Sequence, residues 1–392
     1  MPVASPSLSL ADQVRTQLGT VLDPEIRRPI TEIDMVADVA VDDRGLARVH
    51  VLLTVSGCPM REQLVTDVTA AARRVEGVRD VDVVFGVMTE EQRQALQAKL
   101  RNGAPARQNP FTRPDSLTRV YAIASGKGGV GKSSVTTNIA VGLAATGLKV
   151  GVLDADVYGH SIPAMFGVAD ERPTRVEELI MPITAHGVRL ISIGMLKPKR
   201  EQVVAWRGPM LDKALAQMLS DVYWGDLDVL LLDLPPGTGD VAISVGQQLG
   251  GDTDVIVVTT PQDSAAEVAE RAGTMASMLE QRVLGVVENM SYLACPHCGL
   301  RDGKAVHRLD VFGSGGGQRV AGTLTQRLGY DIPVLAEIPL DPRLGVDADA
   351  GMPIVLTDPQ SPAAIALGGI AGRLAGRSRG LVGRRLGLSV SG

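Results

Sequence analysis

Apolar and polar positions fall into two regimes along the chain. Up to about residue 100 they mark a small α+β unit. A helix is expected at Leu10–Leu18 behind Ser9 as N-cap, then strands at Ile33–Val41 and Ala47–Thr54, the second alternating between two faces. Pro59 is placed to open a helix running through Arg74. A strand at Val81–Phe85 precedes a helix announced by Thr89 and Gln92, whose spacing is that of a capping box. The run RNGAPARQNPFTRPDS then reads as a linker over 101–117.

From Arg119 short apolar strands alternate with periodic helices. The strands are expected at Val120–Ser125, Val150–Asp154, Arg189–Ile193, Val229–Asp233, Val255–Thr259, Leu284–Val287 and Val334–Glu337. Helices such as Ser134–Thr146, stopped by Gly147, and Ser264–Leu279, capped by Asp263, lie between them. Strands apolar on both faces and separated by helices predict a mostly parallel sheet, hence an α/β fold over 118–373. No internal repeat is visible. The last twenty residues carry five arginines and no acid. The glycines at 376, 380, 383 and 387 oppose an amphipathic helix there, so 374–392 is expected to be a flexible basic tail.

Composition narrows the function classes. The 392 residues suffice for two to three domains, and 45% apolar with 21% charged residues is ordinary for a globular protein. A net charge of -5 leaves no basic footprint for nucleic acid. No secretory leader and no apolar run of membrane-spanning length is seen, so neither nucleic acid nor membrane is an expected partner and the expected location is cytoplasmic. Three cysteines, two in one CxxC, make no disulfide framework and suit a reducing compartment.

The chemistry concentrates where Val120–Ser125 runs into Gly126-Lys127-Gly128-Gly129-Val130-Gly131-Lys132-Ser133, followed by Ser134 in the helix. This is G-x-x-x-x-G-K-[ST] in a strand–loop–helix setting. The glycines let backbone N–H groups converge on phosphate oxygens, Lys132 would reach the β- and γ-phosphates, and Ser133 would bind Mg²⁺. Gly126, Gly128 and Gly131 also spell a dinucleotide fingerprint, with Asp154 at the next strand end where a ribose-binding acid would sit. Lys132-Ser133 and the second acidic strand end at Asp233 favour a nucleoside triphosphate, ATP. Cys295-Pro296-His297-Cys298 supplies two soft ligands, half of what a 4Fe–4S cluster or a structural zinc takes. Two copies of the motif on a two-fold axis would complete four. His297 and His307 could instead complete a zinc site within one chain.

Lys127, not needed to cradle phosphate in cis, resembles the deviant Walker A signature KGGxGK[ST]. That signature belongs to the family containing MinD, ParA, the nitrogenase iron protein and the Mrp/ApbC proteins. DADVYGHSIP, LDLPPGTGD, TTPQ, ENMSYLACPHCG and VFGSGGG together resemble its Mrp/ApbC iron–sulfur carrier branch, over Arg119 to about Arg373. The resemblance implies a homodimer in which Lys127 reaches the partner's phosphates. Asp156 would position the attacking water, Asp233 would hold Mg²⁺ and Asn289 would read adenine. Cys295 and Cys298 of both subunits would bridge a 4Fe–4S cluster, taken from scaffold or donor proteins and passed to recipient apoproteins with slow ATP hydrolysis. LDPEI and LTVSGCPM resemble the small domain of iron–sulfur assembly factors, with Cys58 at a helix start where thiolate is favoured. The alternative is a MinD/ParA-type positioning ATPase with a structural zinc at the dimer interface.

Overall fold

The protein is described from a computed structural model covering residues 9–24, 26–54, 60–100, 109–157, 159–196, 208–295 and 307–377. The chain divides into two compact units, residues 1–106 with 174–181, and residues 107–173 with 182–392.

In the first unit, strands β1 (Val36–Val41), β2 (Leu46–Leu53) and β3 (Asp80–Val87) form one sheet with helices α1 (Leu10–Leu18), α2 (Arg61–Ala72) and α3 (Glu90–Leu100). β1 and β2 are antiparallel, whereas β2 and β3 are parallel with α2 as the crossover. Ala47, Val49, Val51 and Leu53 of β2 are buried, as are Leu64 and Val68 of α2 and Val14 and Leu18 of α1, and together they form this unit's core. Ser9 Oγ accepts from Asp12 N at 3.1 Å, fixing the start of α1. At α3 Thr89 N donates to Gln92 Oε1 (2.9 Å) and Gln92 N to Thr89 Oγ1 (3.2 Å), a complete capping box. The helix expected to run through Arg74 closes at Ala72, and Pro59 and Cys58 lie outside the described residues.

An unforeseen hairpin, Arg175–Val176 paired with Leu179–Ile180, belongs to this unit. It is anchored by Arg93 Nε of α3, 2.6 Å from Glu177 Oε1.

The second unit is built on eight strands: β4 (Arg119–Ser125), β5 (Val150–Asp154), β6 (Ile183–Ala185), β7 (Val188–Ser192), β8 (Val229–Asp233), β9 (Thr253–Thr259), β10 (Arg282–Glu288) and β11 (Val334–Glu337). Their order is β11-β10-β9-β4-β8-β5-β7-β6, parallel except for the three-residue edge strand β6. Tyr121, Ile123, Val152, Leu231, Ile256 and Val258 on one face and Ala122, Leu153, Leu232 and Val257 on the other are buried, as both-face burial of a parallel sheet requires. Its longer helices are α4 (Lys132–Ala145), α5 (Gly208–Ser220), α6 (Asp240–Leu249), α7 (Asp263–Met278), α8 (Gly316–Leu328), α9 (Pro342–Asp349) and α10 (Pro362–Ala375). Ile139 and Leu143 of α4 share one apolar cluster with Leu367, Ile370 and Leu374 of α10.

Three further boundaries in this unit differ from expectation. Phe111, inside the expected linker, is buried edge-on against Trp224, ring centroids 6.2 Å apart, and Asn109 Nδ2 donates to Gln248 O at 3.1 Å. One aromatic with a ready partner outweighs a polar, proline-containing context. α10 continues to Ala375 with Leu374 buried, and Arg377 pairs with Asp254 at 3.6 Å, so the segment expected to be a tail from 374 begins in a packed helix. Gln262 rather than Asp263 is the N-cap of α7; Asp263 is its first residue, and its exposed carboxylate pairs with Arg319.

A candidate nucleotide site and a cysteine ribbon

β4 lies between β9 and β8, where the chain order across the sheet reverses, and a crevice opens at the carboxyl ends of strands at such a point. The loop 126–131 leaves β4 there and feeds α4. Two glycines are dictated by their surroundings. A Cβ at Gly126 would lie 2.3 Å from the backbone of Val268 in α7, so the loop can approach that helix only without one. Gly131 has φ +80° and a Cβ there would lie 2.2 Å from Asn289 Nδ2. Gly131 is also the N-cap of α4 and makes no side-chain cap, leaving first-turn N–H groups for an anion. Gly128 and Gly129 are exposed, and Val130 is buried.

Two acidic strand ends stand beside the loop. Asp154 of β5 and Asp233 of β8 are register partners on adjacent strands and both are fully buried. Asp233 collects the loop's polar groups. Its Oδ2 lies 2.6 Å from Lys132 Nζ and accepts from Ser133 Oγ at 2.6 Å, while Oδ1 accepts from Thr136 Oγ1 at 2.6 Å. Thr136 lies beyond the end of the loop motif, which gives it no role. It stands three residues after Ser133 on a helix, hence on the same face, and that spacing is the signal the sequence offers. Two hydroxyls and a carboxylate are hard oxygen donors of the kind Mg²⁺ takes.

Asp154 Oδ2 accepts from Ser192 Oγ of β7 (3.0 Å) and Oδ1 from Asp156 N (3.1 Å). Burial, and then the neighbouring Asp233 carboxylate, push its pKa up to about 8 against the pull of Lys132. Asp154 thus links β5 to β7 through the Ser192 hydroxyl. Asp156 is buried, its Oδ1 accepts from Gly159 N at 2.9 Å, and its Oδ2 lies 4.0 Å from Lys132 Nζ. Ser134, half-buried in the first turn of α4, accepts through its carbonyl from Asn138 Nδ2 at 2.9 Å.

Lys127 is tied within its own chain: Nζ donates to Gln262 Oε1 (3.1 Å) and Ser264 Oγ (3.3 Å) at the start of α7. Asn289 follows β10 and is buried under the loop, where Nδ2 donates to Val130 O at 2.9 Å. Its Oδ1 is buried without a hydrogen-bond partner.

The chain then leads into a two-stranded ribbon in which Leu293–Ala294 pairs with Arg308–Leu309. Cys295 is buried at its end, where its N–H donates to His307 O at 3.0 Å. Cys298 and His297 lie outside the described residues. Among the described residues no group of three or more His, Cys, Asp or Glu side chains is arranged to hold a metal ion, and no helix is long and apolar enough to cross a membrane.

Parallel sheet, glycine loop, buried lysine and acidic strand ends define a P-loop NTPase. The chain belongs to the family described as the NUBPL iron-transfer P-loop NTPase, whose model matches residues 116–375. Residues 11–84 match a second family, described as iron–sulfur cluster assembly protein. Both agree with the resemblances carried by the motifs.

A protein of Mycobacterium tuberculosis named iron–sulfur cluster carrier protein is 53% identical over 375 residues, 96% of each chain. One of the same name from Deinococcus radiodurans is 44% identical over 369 residues, 93% of this chain and 95% of that one. Among solved structures, a nucleotide-binding protein from Archaeoglobus fulgidus in complex with ADP is 36% identical. It covers 63% of this chain and 91% of its own, with a TM-score of 0.51.

Proposed function

We propose that this protein is an ATP-dependent iron–sulfur cluster carrier that works as a homodimer. The cargo is a 4Fe–4S cluster held by Cys295 and Cys298 of both subunits, received from scaffold or donor proteins and passed to recipient apoproteins in the cytoplasm. The observation that carries this reading is the short path from the phosphate loop to the thiols. Asn289 touches Val130 O, and the same strand exit reaches the buried Cys295 within one ribbon. The relatives' shared name supports the cargo assignment.

In this reading the amides of 126–131 and the start of α4 cradle the phosphates of ATP, and Lys132 moves from Asp233 to the β- and γ-phosphates. Ser133 and Asp233 would hold Mg²⁺, which when bound would neutralise phosphate charge. Asp156 positions the attacking water. Lys127 leaves Gln262 and Ser264 to reach the partner subunit's phosphates. Such a cross-subunit cation is worth about 10³–10⁵ in rate in other NTPases. ATP favours one dimer arrangement over another, and that difference alters cluster retention.

The test is anaerobic reconstitution of the full chain with iron and sulfide, followed by metal, sulfide and mass analysis beside Cys298→Ala. One 4Fe–4S cluster per dimer, absent in the variant, is the expected result. Zinc without sulfide, or metal held by a monomer, would overturn it.

A further inference from the structure

Tyr292, Arg308 and Glu337 form a cluster that the nucleotide chemistry does not use. The Arg308 guanidinium stacks over the Tyr292 ring, 4.0 Å from its centroid. Its Nη1 also lies 3.4 Å from Glu337 Oε2 at the end of β11. Gln318 Nε2 of α8 donates to the other Glu337 oxygen.

These contacts bracket Cys295. Tyr292 is three residues before it, and Arg308 is the cross-strand partner of Ala294, the residue immediately before Cys295. Along the same segment Leu340 N donates to Tyr292 O (2.7 Å) and Ser291 N to Ile338 O (2.9 Å). Ser291 Oγ donates to Glu288 Oε1 at 2.5 Å, and Glu288 Oε2 accepts from Gly317 N at the start of α8, also at 2.5 Å. The segment from Asn289, on Val130, to Cys295 is thus tied at Ser291 and Tyr292 to the chain just after β11, and Glu288 immediately before it is tied to α8.

The ribbon itself is only two residues per strand. Isolated two-stranded ribbons are marginal in water, so the ribbon's geometry depends on what grips it from outside. Arg308 is the side chain placed to do so. It reaches across the ribbon to the aromatic face of Tyr292, just before the first strand, and to an acid on the main sheet, making a cation–π contact and an ion pair with one group.

We infer that Tyr292 and Arg308, braced by Glu337, are positioning residues for Cys295. They lock the ribbon so that the segment joining the phosphate loop to the thiols moves as one piece. The inference deepens the carrier reading and rests on it, but the clamp itself is testable without a cluster.

The experiment uses the full chain in four forms: parent, Tyr292→Leu, Tyr292→Phe and Arg308→Gln. In the metal-free protein, the rate of Cys295 alkylation by iodoacetamide is followed by mass spectrometry. It should rise about two- to fivefold in Tyr292→Leu and Arg308→Gln, the factor a half-exposed cation–π contact supports. Tyr292→Phe keeps the aromatic face and should stay at the parent rate. ATP affinity should be unchanged throughout, since none of these residues touches the loop.

In reconstituted protein, cluster loss to a chelator should respond to ATP in the parent and in Tyr292→Phe, and lose that response in the other two. Parent-like alkylation in Tyr292→Leu and Arg308→Gln would overturn the clamp. So would equal acceleration in Tyr292→Phe, which would reduce the effect to general loosening. A parent that holds no cluster but shows the alkylation pattern would retain the clamp and sink the carrier reading.

Discussion

Two lysines five residues apart have opposite surroundings. Lys132 is buried among the carboxylates of Asp233 and Asp156, whereas Lys127 lies at the surface on Gln262 and Ser264. Lys132→Ala removes the charge that phosphate would take over from Asp233, and should weaken ATP binding about 10- to 100-fold by isothermal titration, the value of one or two charge-assisted hydrogen bonds. Lys127→Ala gives up only two surface contacts, so binding should hold while turnover falls; unchanged turnover would remove the cross-subunit role.

Asp154 makes a prediction in pH. Its pKa of about 8 in the folded chain lies far above the ordinary 3.8. Between those values the folded protein binds more protons than the unfolded one, and stability falls as pH rises. In EDTA without nucleotide, Asp154→Asn should remove from the stability–pH curve a slope of at most ~1.4 kcal/mol per pH unit; parallel curves would refute the assignment. The loop, its lysines and both strand-end acids are legible in sequence because each occupies a fixed step in a short local motif. Thr136 and Ser192 are not. Ser192 meets Asp154 only through the pairing of β7 with β5, which no local pattern announces.

At the scale of elements, the parallel strands are readable because burial on both faces leaves nothing but apolar residues in a row. The edge strand β6 is not, having only three residues between Pro182 and the His186-Gly187 turn. α7 is readable except for its cap, which falls one residue earlier, on Gln262, without a side-chain hydrogen bond. The contact of loop with strand exit gives this scale its prediction. At Gly131 a side chain would need φ +80° and would drive into Asn289 Nδ2, the group that holds Val130 O. Gly131→Ala should cost about 1–3 kcal/mol in chemical denaturation and weaken ATP binding with it. Gly129→Ala, at a similar φ of +81° but with open space around the new carbon, should cost no more than the lower end of that range. Equal losses would mean that the backbone conformation matters and the contact with Asn289 does not.

For the whole molecule, chain order and spatial grouping part company. The first unit is not a continuous stretch: residues 174–181, which come after the phosphate loop and β5, belong to it. Nothing in a two-strand hairpin of RVEELI advertises this, since the partner is Arg93 on α3, 84 residues earlier. The pair is half-exposed on both sides, so it should contribute roughly 0.5–1 kcal/mol, the upper part of the range for solvent-screened pairs. The consequence is local. Glu177→Gln should speed amide hydrogen exchange in α3 by about two- to fivefold and leave α4 and the sheet at parent rates, because residues of one unit open together and the second unit does not share this contact. Arg93 also donates to Met88 O at 3.0 Å, a bond the Glu177 variant leaves intact, so Arg93→Ala should exceed Glu177→Gln in the same measurement. Should exchange in α3 be indifferent to both, the hairpin is a passenger on the first unit, and residues 1–106 alone would be as stable as they are with it.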